Sequence, residues 1–281
     1  MGIVNINDDS FSGDGTLDPT AALAIARNHL TNGADIIDIG AESARTNRTA
    51  IPINEEIRRL RSFIDRWQET WPTCTPRDAT QIWPPILSVN SWRNEVITAI
   101  LQSPGIDLIN DMSALPDARN AITCANANVS LLIMHSVGEP KIPHFQQQWP
   151  NVMNAMESFF EEKIRLATQA GLPLDSIIID PGIDFAKQRA DNLTVYQNLS
   201  RLNRFQRPIL VPVSRKTVIG EVLNLPEPST RDAGTIACIA AAIPRGGTIF
   251  RIHDSDAAWQ AVKMLHALQP SHPEFSSRNF C

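Results

Sequence analysis

The sequence predicts an α/β fold, and specifically a single (β/α)8 TIM barrel. Eight short apolar segments alternate with helical segments along nearly the whole chain. This alternation is typical of parallel strands that are covered by helices. Eight such units in about 265 residues favour a closed barrel, and an open doubly wound sheet is the alternative.

The predicted strands are short and rich in branched apolar residues. They are residues 2–6, 36–39, 86–89, 107–110, 130–134, 176–179, 209–213 and 248–252. The clearest helical patterns are residues 19–32, a helix that opens at Asn54, and residues 152–170, 193–202, 230–243 and 256–268. Gly33 is suited to end the first helix, and Glu55 and Glu56 are favourable in the first turn of the second helix.

The domain organisation that follows is one barrel over residues 1–268. A segment rich in Pro, Trp and Thr, at about residues 70–85, is predicted to be an irregular surface insertion. We expect Trp67, Trp71 and Trp83 to pack together around this insertion rather than to bind a ligand. Residues 269–281 carry no periodicity and are expected to be a disordered C-terminal tail.

Composition excludes several classes of protein. The chain has 25 Lys and Arg against 30 Asp and Glu, so no basic excess exists to bind nucleic acid. The longest apolar run, residues 236–243, is too short to cross a bilayer, and no secretory signal is visible. Cys74, Cys124, Cys238 and Cys281 lie too far apart to indicate a disulfide framework or zinc site. We therefore expect a cytoplasmic protein without nucleic-acid or membrane partners.

Polar residues follow nearly every predicted strand. A single Asn or Asp in that position usually caps a helix or forms a turn. In a barrel, however, the carboxyl ends of all strands meet at one mouth, where functional groups gather. The residues concerned are Asn5, Arg45, Asn90, Asn110, His135, Asp180, Lys216, Arg251 and His253.

These side chains are suited to two kinds of ligand group. Asn90, Asn110 and Asp180 form a hydrogen-bonding surface for a flat heterocycle with an N–H and NH₂ edge. Arg45, Lys216 and Arg251 add positive charge, which suits a phosphate or diphosphate. His135 is equally compatible with a supporting role behind the site and with simple packing.

An ordered set of short motifs resembles the dihydropteroate synthases. Residues 1–12 resemble the opening signature of that family, and residues 33–43 with Arg45 resemble its second signature. The motifs Ile109-Asn-Asp, Met134-His135, Asp180-Pro-Gly-Ile, Ser214-Arg-Lys216 and Arg251-Ile-His-Asp254 then follow in the family's order. The resemblance spans residues 1–268. It implies a barrel, usually a homodimer, that condenses 6-hydroxymethyl-7,8-dihydropterin diphosphate with 4-aminobenzoate in folate synthesis, with Mg²⁺.

The resemblance also assigns roles to individual residues. It implies that Asn90, Asn110, Asp180 and Lys216 bind the pterin, that Arg45, Arg251 and His253 bind the diphosphate, that Phe11, Phe185 and Ser214 line the 4-aminobenzoate pocket, and that Asn5 helps hold Mg²⁺. Lys216, Arg251 and His253 are the predicted catalytic residues. The reaction places carbocation character on the pterin methylene as diphosphate leaves, so cations and Mg²⁺ must neutralise the leaving group. The aniline nitrogen is already nucleophilic and needs neither a covalent intermediate nor a strong base.

Several residues depart from the family pattern. Asn90 stands where the family has Asp, and losing that anion could cost a few kcal/mol of barrier, where about 1.4 kcal/mol is tenfold in rate. Ala44 and Thr46 in the second loop, together with Asp184, predict altered sulfonamide affinity. The chain has only 13 glycines. Ala41, Asp184 and Ala186 stand where the family has glycines.

Three functions remain open at this point. The first is a dihydropteroate synthase that tolerates these changes. The second is an impaired or specialised pterin-binding paralogue, which Asn90 and the changed glycines favour. The third is a methyltetrahydrofolate-type pterin-binding methyltransferase, which would not need the Ser214-Arg-Lys216 motif or the pair Arg251 and His253.

Overall fold

The computed structural model describes residues 1–7, 15–42, 49–142, 144 and 146–268. Its eight strands are parallel and lie in one sheet in chain order. They are β1 (Gly2–Asn5), β2 (Ile36–Gly40), β3 (Ile86–Asn90), β4 (Leu108–Asp111), β5 (Ser130–Met134), β6 (Ile177–Asp180), β7 (Ile209–Val211) and β8 (Gly247–Phe250). The predicted α/β barrel is confirmed.

Hydrogen bonds between the first residues of the chain and Ile252, which follows β8, close the sheet into a ring. The amide of Ile3 donates to the carbonyl of Ile252 at 3.1 Å, and the amide of Ile252 donates to the carbonyl of Met1 at 3.0 Å. Gly2 and Ile252 form a parallel bridge. Closure rules out the open doubly wound sheet that the strand rhythm alone had left possible.

Helices connect the strands and cover the outside of the ring. Within the described residues they are α1 (Pro19–Thr31), α2 (Ile53–Thr70), α3 (Asn94–Ile100), α4 (Arg119–Ala127), α5 (Val152–Gln169), α6 (Arg189–Gln197), α7 (Thr217–Leu223), α8 (Asp232–Ala242) and α9 (Ser255–Leu268). None of these helices is long and apolar enough to cross a membrane.

One predicted helix boundary was wrong. The pattern at residues 193–202 indicated one helix, but α6 ends at Gln197 and a 3₁₀ helix follows at Leu199–Phe205. The start also lies earlier, because the amide of Gln188 donates to the Asp191 carboxylate at 2.9 Å and forms a capping box.

The insertion packs against the barrel as a small irregular unit. The Gln81 amide donates to the carbonyls of Leu30 and Ala34 at 3.0 and 2.8 Å. Trp71 and Trp83 meet edge to face with ring centres 5.9 Å apart, as predicted. Trp67 instead stacks on Phe63 in the main core. The predicted tail, residues 269–281, lies outside the described residues.

A second, smaller core fills the inside of the barrel and sets the position of the site. It contains Ile36, Ile86, Leu108, Ile178 and Ile249, each on a different strand. Side chains alternate between the two faces of a strand, so the residue two positions further on also points inward. Those positions are occupied by Asp38, Ser88, Asn110, Asp180 and Arg251.

Candidate active site

The centre of the site is Asp38, a residue that the sequence analysis did not single out. Its fully buried carboxylate accepts hydrogen bonds from Ser88 Oγ at 2.6 Å, from Asn110 Nδ2 at 3.2 Å and from Arg251 Nε at 2.7 Å. One carboxylate thus joins side chains from β2, β3, β4 and the end of β8. The available signal was a charged residue inside an otherwise apolar strand, which is rarely buried without a partner.

These bonds orient two of the predicted ligand-binding groups. Because the Asn110 amide nitrogen donates to Asp38, its oxygen is left as an acceptor. Arg251 uses Nε on Asp38, and its terminal nitrogens make no hydrogen bond to another described residue. The guanidinium is therefore fixed at one side and can bind an anion with the other.

Asp180 ends β6 with its carboxylate buried at the mouth of the barrel. The amide of Gly182 donates to Asp180 Oδ1 at 2.7 Å. This turn requires glycine, because Gly182 has φ +64° and a Cβ there would lie 2.0 Å from the His135 carbonyl oxygen. Burial raises the pKa of Asp180 to about 6, although the Gly182 amide and the charges of Lys216, Lys187 and Arg251 oppose that rise.

Pterin affinity should therefore depend on pH. A deprotonated Asp180 accepts from an N–H and NH₂ edge, whereas the protonated carboxyl loses an acceptor, so binding weakens as pH falls through its pKa of about 6. We expect the pterin dissociation constant to rise about tenfold for each pH unit well below that pKa. A fluorescence titration from about pH 5 to about pH 8 measures it. A flat profile would contradict this assignment of Asp180.

Lys216 lies next to Asp180 and Phe185, at the start of α7. Its Nζ donates to the carbonyl of Ile183 at 2.9 Å and lies 4.9 Å from the centre of the Phe185 ring. Burial lowers the pKa of Lys216, and the charges of Asp184 and Asp180 counteract this. The structure thus brings a predicted pterin-binding lysine against a predicted aromatic wall of the 4-aminobenzoate pocket.

His253 and Ser214 form a second pair at the mouth. The Ser214 hydroxyl lies 2.7 Å from His253 Nδ1, and the His253 amide donates to that hydroxyl at 3.1 Å. The hydroxyl of Ser214 therefore holds His253 in place. Ser214 does not line the cavity of about 400 Å³ beside the site, whose lining includes Phe185 and Thr217.

Asn90 ends β3 on the same inner face as Ser88. Its side chain is buried, and Nδ2 donates to the sulfur of Met112 at 3.0 Å. The amide oxygen remains available as an acceptor. An Asp at this position would add a negative charge to the mouth of the barrel, whereas the Asn90 amide is neutral.

Three predicted residues stand on or near loops that the structure describes only in part. Asn5 ends β1 opposite Gly40 of β2, at the same edge as the other strand ends. Phe11 and Arg45 lie outside the described residues, as do Ala44 and Thr46.

A cavity of about 400 Å³ adjoins the site. It is bounded by the segments that follow β3 to β7, and its lining includes Trp92, Met112, Lys141, Phe185, Lys187 and Thr217. Asp180, Asn110, Lys216 and Arg251 are not part of this lining. The volume is sufficient for a small aromatic molecule beside the pterin-binding side chains.

A buried ammonium supports the loop between β6 and α6. Lys187 Nζ donates to the carbonyls of His135, Gly182 and Phe185 at 3.0–3.1 Å, and burial lowers its pKa to about 7. The His135 ring packs among Trp149, Phe159 and Phe160, and burial lowers its pKa to about 2. His135 thus supports the site through its carbonyl, while its neutral ring belongs to the core.

Two of the three replaced glycines have a backbone that favours glycine. Asp184 has φ +68° and Ala186 has φ +51°. The Trp149 indole donates to the Ala186 carbonyl at 2.7 Å, which helps hold this conformation. Ala41 is different, because its φ is not positive, so no unusual backbone is needed there.

The sequence model of the pterin binding enzyme family matches residues 1–253, a range that contains all eight strands and the residues at the mouth of the barrel. The dihydropteroate synthase of Escherichia coli is 30% identical over 268 residues, covering 95% of this chain and 90% of that protein. The dihydropteroate synthase of Synechocystis is 34% identical over 271 residues, covering 95% and 89%. The chain belongs to the pterin-binding enzymes and, among them, to the dihydropteroate synthase family.

Solved structures agree with this assignment. The Yersinia pestis dihydropteroate synthase in a sulfonamide complex superposes with a TM-score of 0.84 at 31% identity, covering 95% of this chain and 92% of that one. The Xanthomonas albilineans enzyme with 4-aminobenzoic acid gives 0.83 at 33% identity, covering 97% and 93%. The same enzyme with 7,8-dihydropteroate gives 0.80 at 31% identity, covering 97% and 94%.

Proposed function

We propose that the chain condenses 6-hydroxymethyl-7,8-dihydropterin diphosphate with 4-aminobenzoate, forming 7,8-dihydropteroate and diphosphate in folate biosynthesis. The observation that carries this proposal is the inner face of the barrel mouth, where the Asp38 carboxylate joins Asn110, a predicted pterin-binding residue, to Arg251, a predicted diphosphate-binding residue. The enzymes with bound 4-aminobenzoic acid and 7,8-dihydropteroate support the choice of substrates.

The pterin would be bound by carboxylate and amide groups on the inner face. Asp180 accepts from the N–H and NH₂ edge of the ring, and the free oxygen of Asn110 accepts a further bond. Asn90 offers a third acceptor. Since Asp38 fixes Asn110 from behind, the ring meets a surface that is already oriented, which reduces the entropy lost on binding.

The diphosphate would lie on the cationic side of the mouth. Arg251, held by Asp38, and His253, held by Ser214, can donate to its oxygens as negative charge builds on the leaving group. Lys216 lies between the pterin-binding carboxylate and Phe185, so it can contact both substrates. The aniline nitrogen of 4-aminobenzoate attacks the pterin methylene, the C–O bond to diphosphate breaks, and the aniline nitrogen then loses a proton to solvent.

Mg²⁺ is the cofactor that we propose, with Asn5 as its protein ligand. The described residues contain no group of three or more His, Cys, Asp or Glu side chains that could hold a metal ion. Such a group is not required, because Mg²⁺ commonly keeps several waters and takes its other ligands from substrate phosphates and one or two protein oxygens. The amide oxygen of Asn5 fits that donor set. When bound, the ion would neutralise charge on the diphosphate.

We also propose that the enzyme is a cytoplasmic homodimer, as the family resemblance implies. Light scattering of the purified chain measures the mass in solution directly.

The altered sulfonamide affinity expected from Ala44, Thr46 and Asp184 likewise remains a prediction.

Turnover is tested by mass spectrometry with the dihydropterin diphosphate, 4-aminobenzoate and Mg²⁺. We expect one diphosphate released for each dihydropteroate formed. Pterin binding in calorimetry without product would favour the specialised paralogue instead. Methyl transfer from methyltetrahydrofolate to a thiol acceptor would favour the methyltransferase.

Asn90→Asp should increase kcat. A carboxylate at the end of β3 would stabilise positive charge on the pterin methylene, and about 1.4 kcal/mol of such stabilisation gives a tenfold increase. Steady-state kinetics at saturating substrates measures the effect.

Asn110→Asp is the matched control, because it adds the same charge on the neighbouring strand. There the new carboxylate would face Asp38 across the present 3.2 Å hydrogen bond, so kcat/KM should fall. An unchanged kcat in Asn90→Asp would show that Asn90 does not limit the reaction.

A further inference from the structure

We propose that Asp184 is a positioning residue for Lys216, because its carboxylate ties the loop after β6 to the start of α7 directly beside that lysine. The proposal rests on the proposed function and concerns how Lys216 is held. Asp184 stands where the family has glycine, and the proposal adds it to the residues that support the reaction.

The backbone of Asp184 is fixed although its φ is +68°. Its amide donates to Asn192 Oδ1 at 2.9 Å, and Asn192 Nδ2 donates to Asp184 Oδ1 at 3.1 Å. Asn192 is itself buried on α6. These two reciprocal hydrogen bonds offset the cost of a backbone conformation that residues other than glycine seldom adopt, and they hold the carboxylate in one place.

The carboxylate then reaches across to α7. Asp184 Oδ2 accepts from the Thr217 amide at 2.5 Å, and Oδ1 lies 3.3 Å from the Val218 amide that donates to it. These are the two residues that follow Lys216. Bonds from a charged acceptor to backbone amides are among the stronger ones in proteins, so they fix the direction in which the lysine leaves the backbone.

The residues on either side of Asp184 contact the lysine itself. The Ile183 carbonyl accepts from Lys216 Nζ at 2.9 Å, and the Phe185 ring lies 4.9 Å from that nitrogen. The Arg231 guanidinium donates to the backbone carbonyl of Lys216 at 3.3 Å. The side chain and the backbone of Lys216 are therefore both held, and Asp184 links the loop after β6 to the residues that follow the lysine.

Charge gives Asp184 a second effect on the lysine. Burial lowers the pKa of Lys216, the negative charges of Asp184 and Asp180 raise it, and Arg251 lowers it further. Lys187 and Arg231 are further cations close by, and the pKa of Lys187 is lowered by burial and also by the charge of Lys216. Removing the charge of Asp184 alone should thus make Lys216 lose its proton at lower pH.

The kinetic test uses Asp184→Gly and Asp184→Asn. Glycine adopts the positive φ without strain, so backbone strain cannot account for a loss of activity in Asp184→Gly. We expect kcat to fall roughly 10- to 100-fold while the pterin dissociation constant changes only a few-fold. Asn keeps an acceptor oxygen and should recover a large part of that loss. Wild-type kcat in Asp184→Gly would overturn the proposal.

The pH test separates positioning from general loop stability. If protonated Lys216 is the active form, activity is lost as pH rises through its pKa, and Asp184→Asn should move that loss to lower pH. NMR of ¹³Cε-lysine protein, with Lys216→Met to assign the signal, reads the same titration without turnover. It therefore still tests the proposal if the wild-type chain forms no dihydropteroate. Asp191→Asn is the control, because it removes the same charge from the first turn of α6. In this variant the pKa of Lys216 should not change. An equal shift in both variants, or none in Asp184→Asn, would overturn the proposal.

Discussion

Asp180→Asn should weaken pterin binding by about 1000-fold or more. A site built to pair with an N–H and NH₂ edge rejects a ligand strongly when one partner is wrong, because buried polar groups are then left unpaired. In this variant an amide NH₂ would face the donors of the ring in a fully enclosed position. Calorimetry with 6-hydroxymethylpterin measures the loss.

Asp175→Asn provides the matched control for that variant. Asp175 precedes the same strand at the other end of the barrel, and its side chain is 94% exposed beside Arg207. The pterin dissociation constant of this control should equal that of the wild-type chain. If Asp180→Asn bound pterin within a few-fold of wild type, the ring would have to lie elsewhere.

Lys216→Met should reduce kcat by about 100- to 1000-fold, the range seen when one preorganised donor is removed from a developing charge. Stability should not fall with it. Because burial lowers the pKa of Lys216, the buried ammonium carries a desolvation cost that an apolar side chain of similar length avoids. Steady-state kinetics and urea unfolding of the same preparation separate the two effects.

Lys263→Met controls for loss of a lysine in general. Lys263 lies on α9 and pairs with Asp78, away from the mouth of the barrel. It should leave kcat unchanged. A kcat within a few-fold of wild type in Lys216→Met would remove Lys216 from the reacting centre.

The strand pattern predicted the barrel because eight buried parallel strands leave apolar runs that are visible in the chain. The shortest helices had no comparable signal. For example, α3 and α7 have only seven residues each, fewer than are needed for a clear amphipathic period. The start of α6 was set by the Gln188 and Asp191 capping box rather than by apolar spacing.

The site could be predicted at strand ends but not inside strands. Asn110, Asp180 and Arg251 stand where a barrel collects function, and the structure places all three on the inner face. Asp38 was missed because it lies inside β2, where its partners come from other strands up to 213 residues away. No local pattern reports such a pairing.

Side-chain direction and contacts between loops also could not be read from the sequence. Ser214 is predicted to line the 4-aminobenzoate pocket, and nothing in the sequence indicated that its hydroxyl also contacts His253. The replacement of glycine by Asp184 was visible, but its bond to Thr217, 33 residues away, depends on how two loops pack. Such contacts are set by the fold as a whole.

A crystal structure with 7,8-dihydropteroate tests the central claim most directly. We predict the N–H and NH₂ edge of the pterin at hydrogen-bond distance, about 3 Å, from the Asp180 carboxylate, with the aminobenzoate ring against Phe185 and Lys216. A pterin ring bound only in the adjoining cavity, out of reach of Asp180 and Asn110, would contradict it.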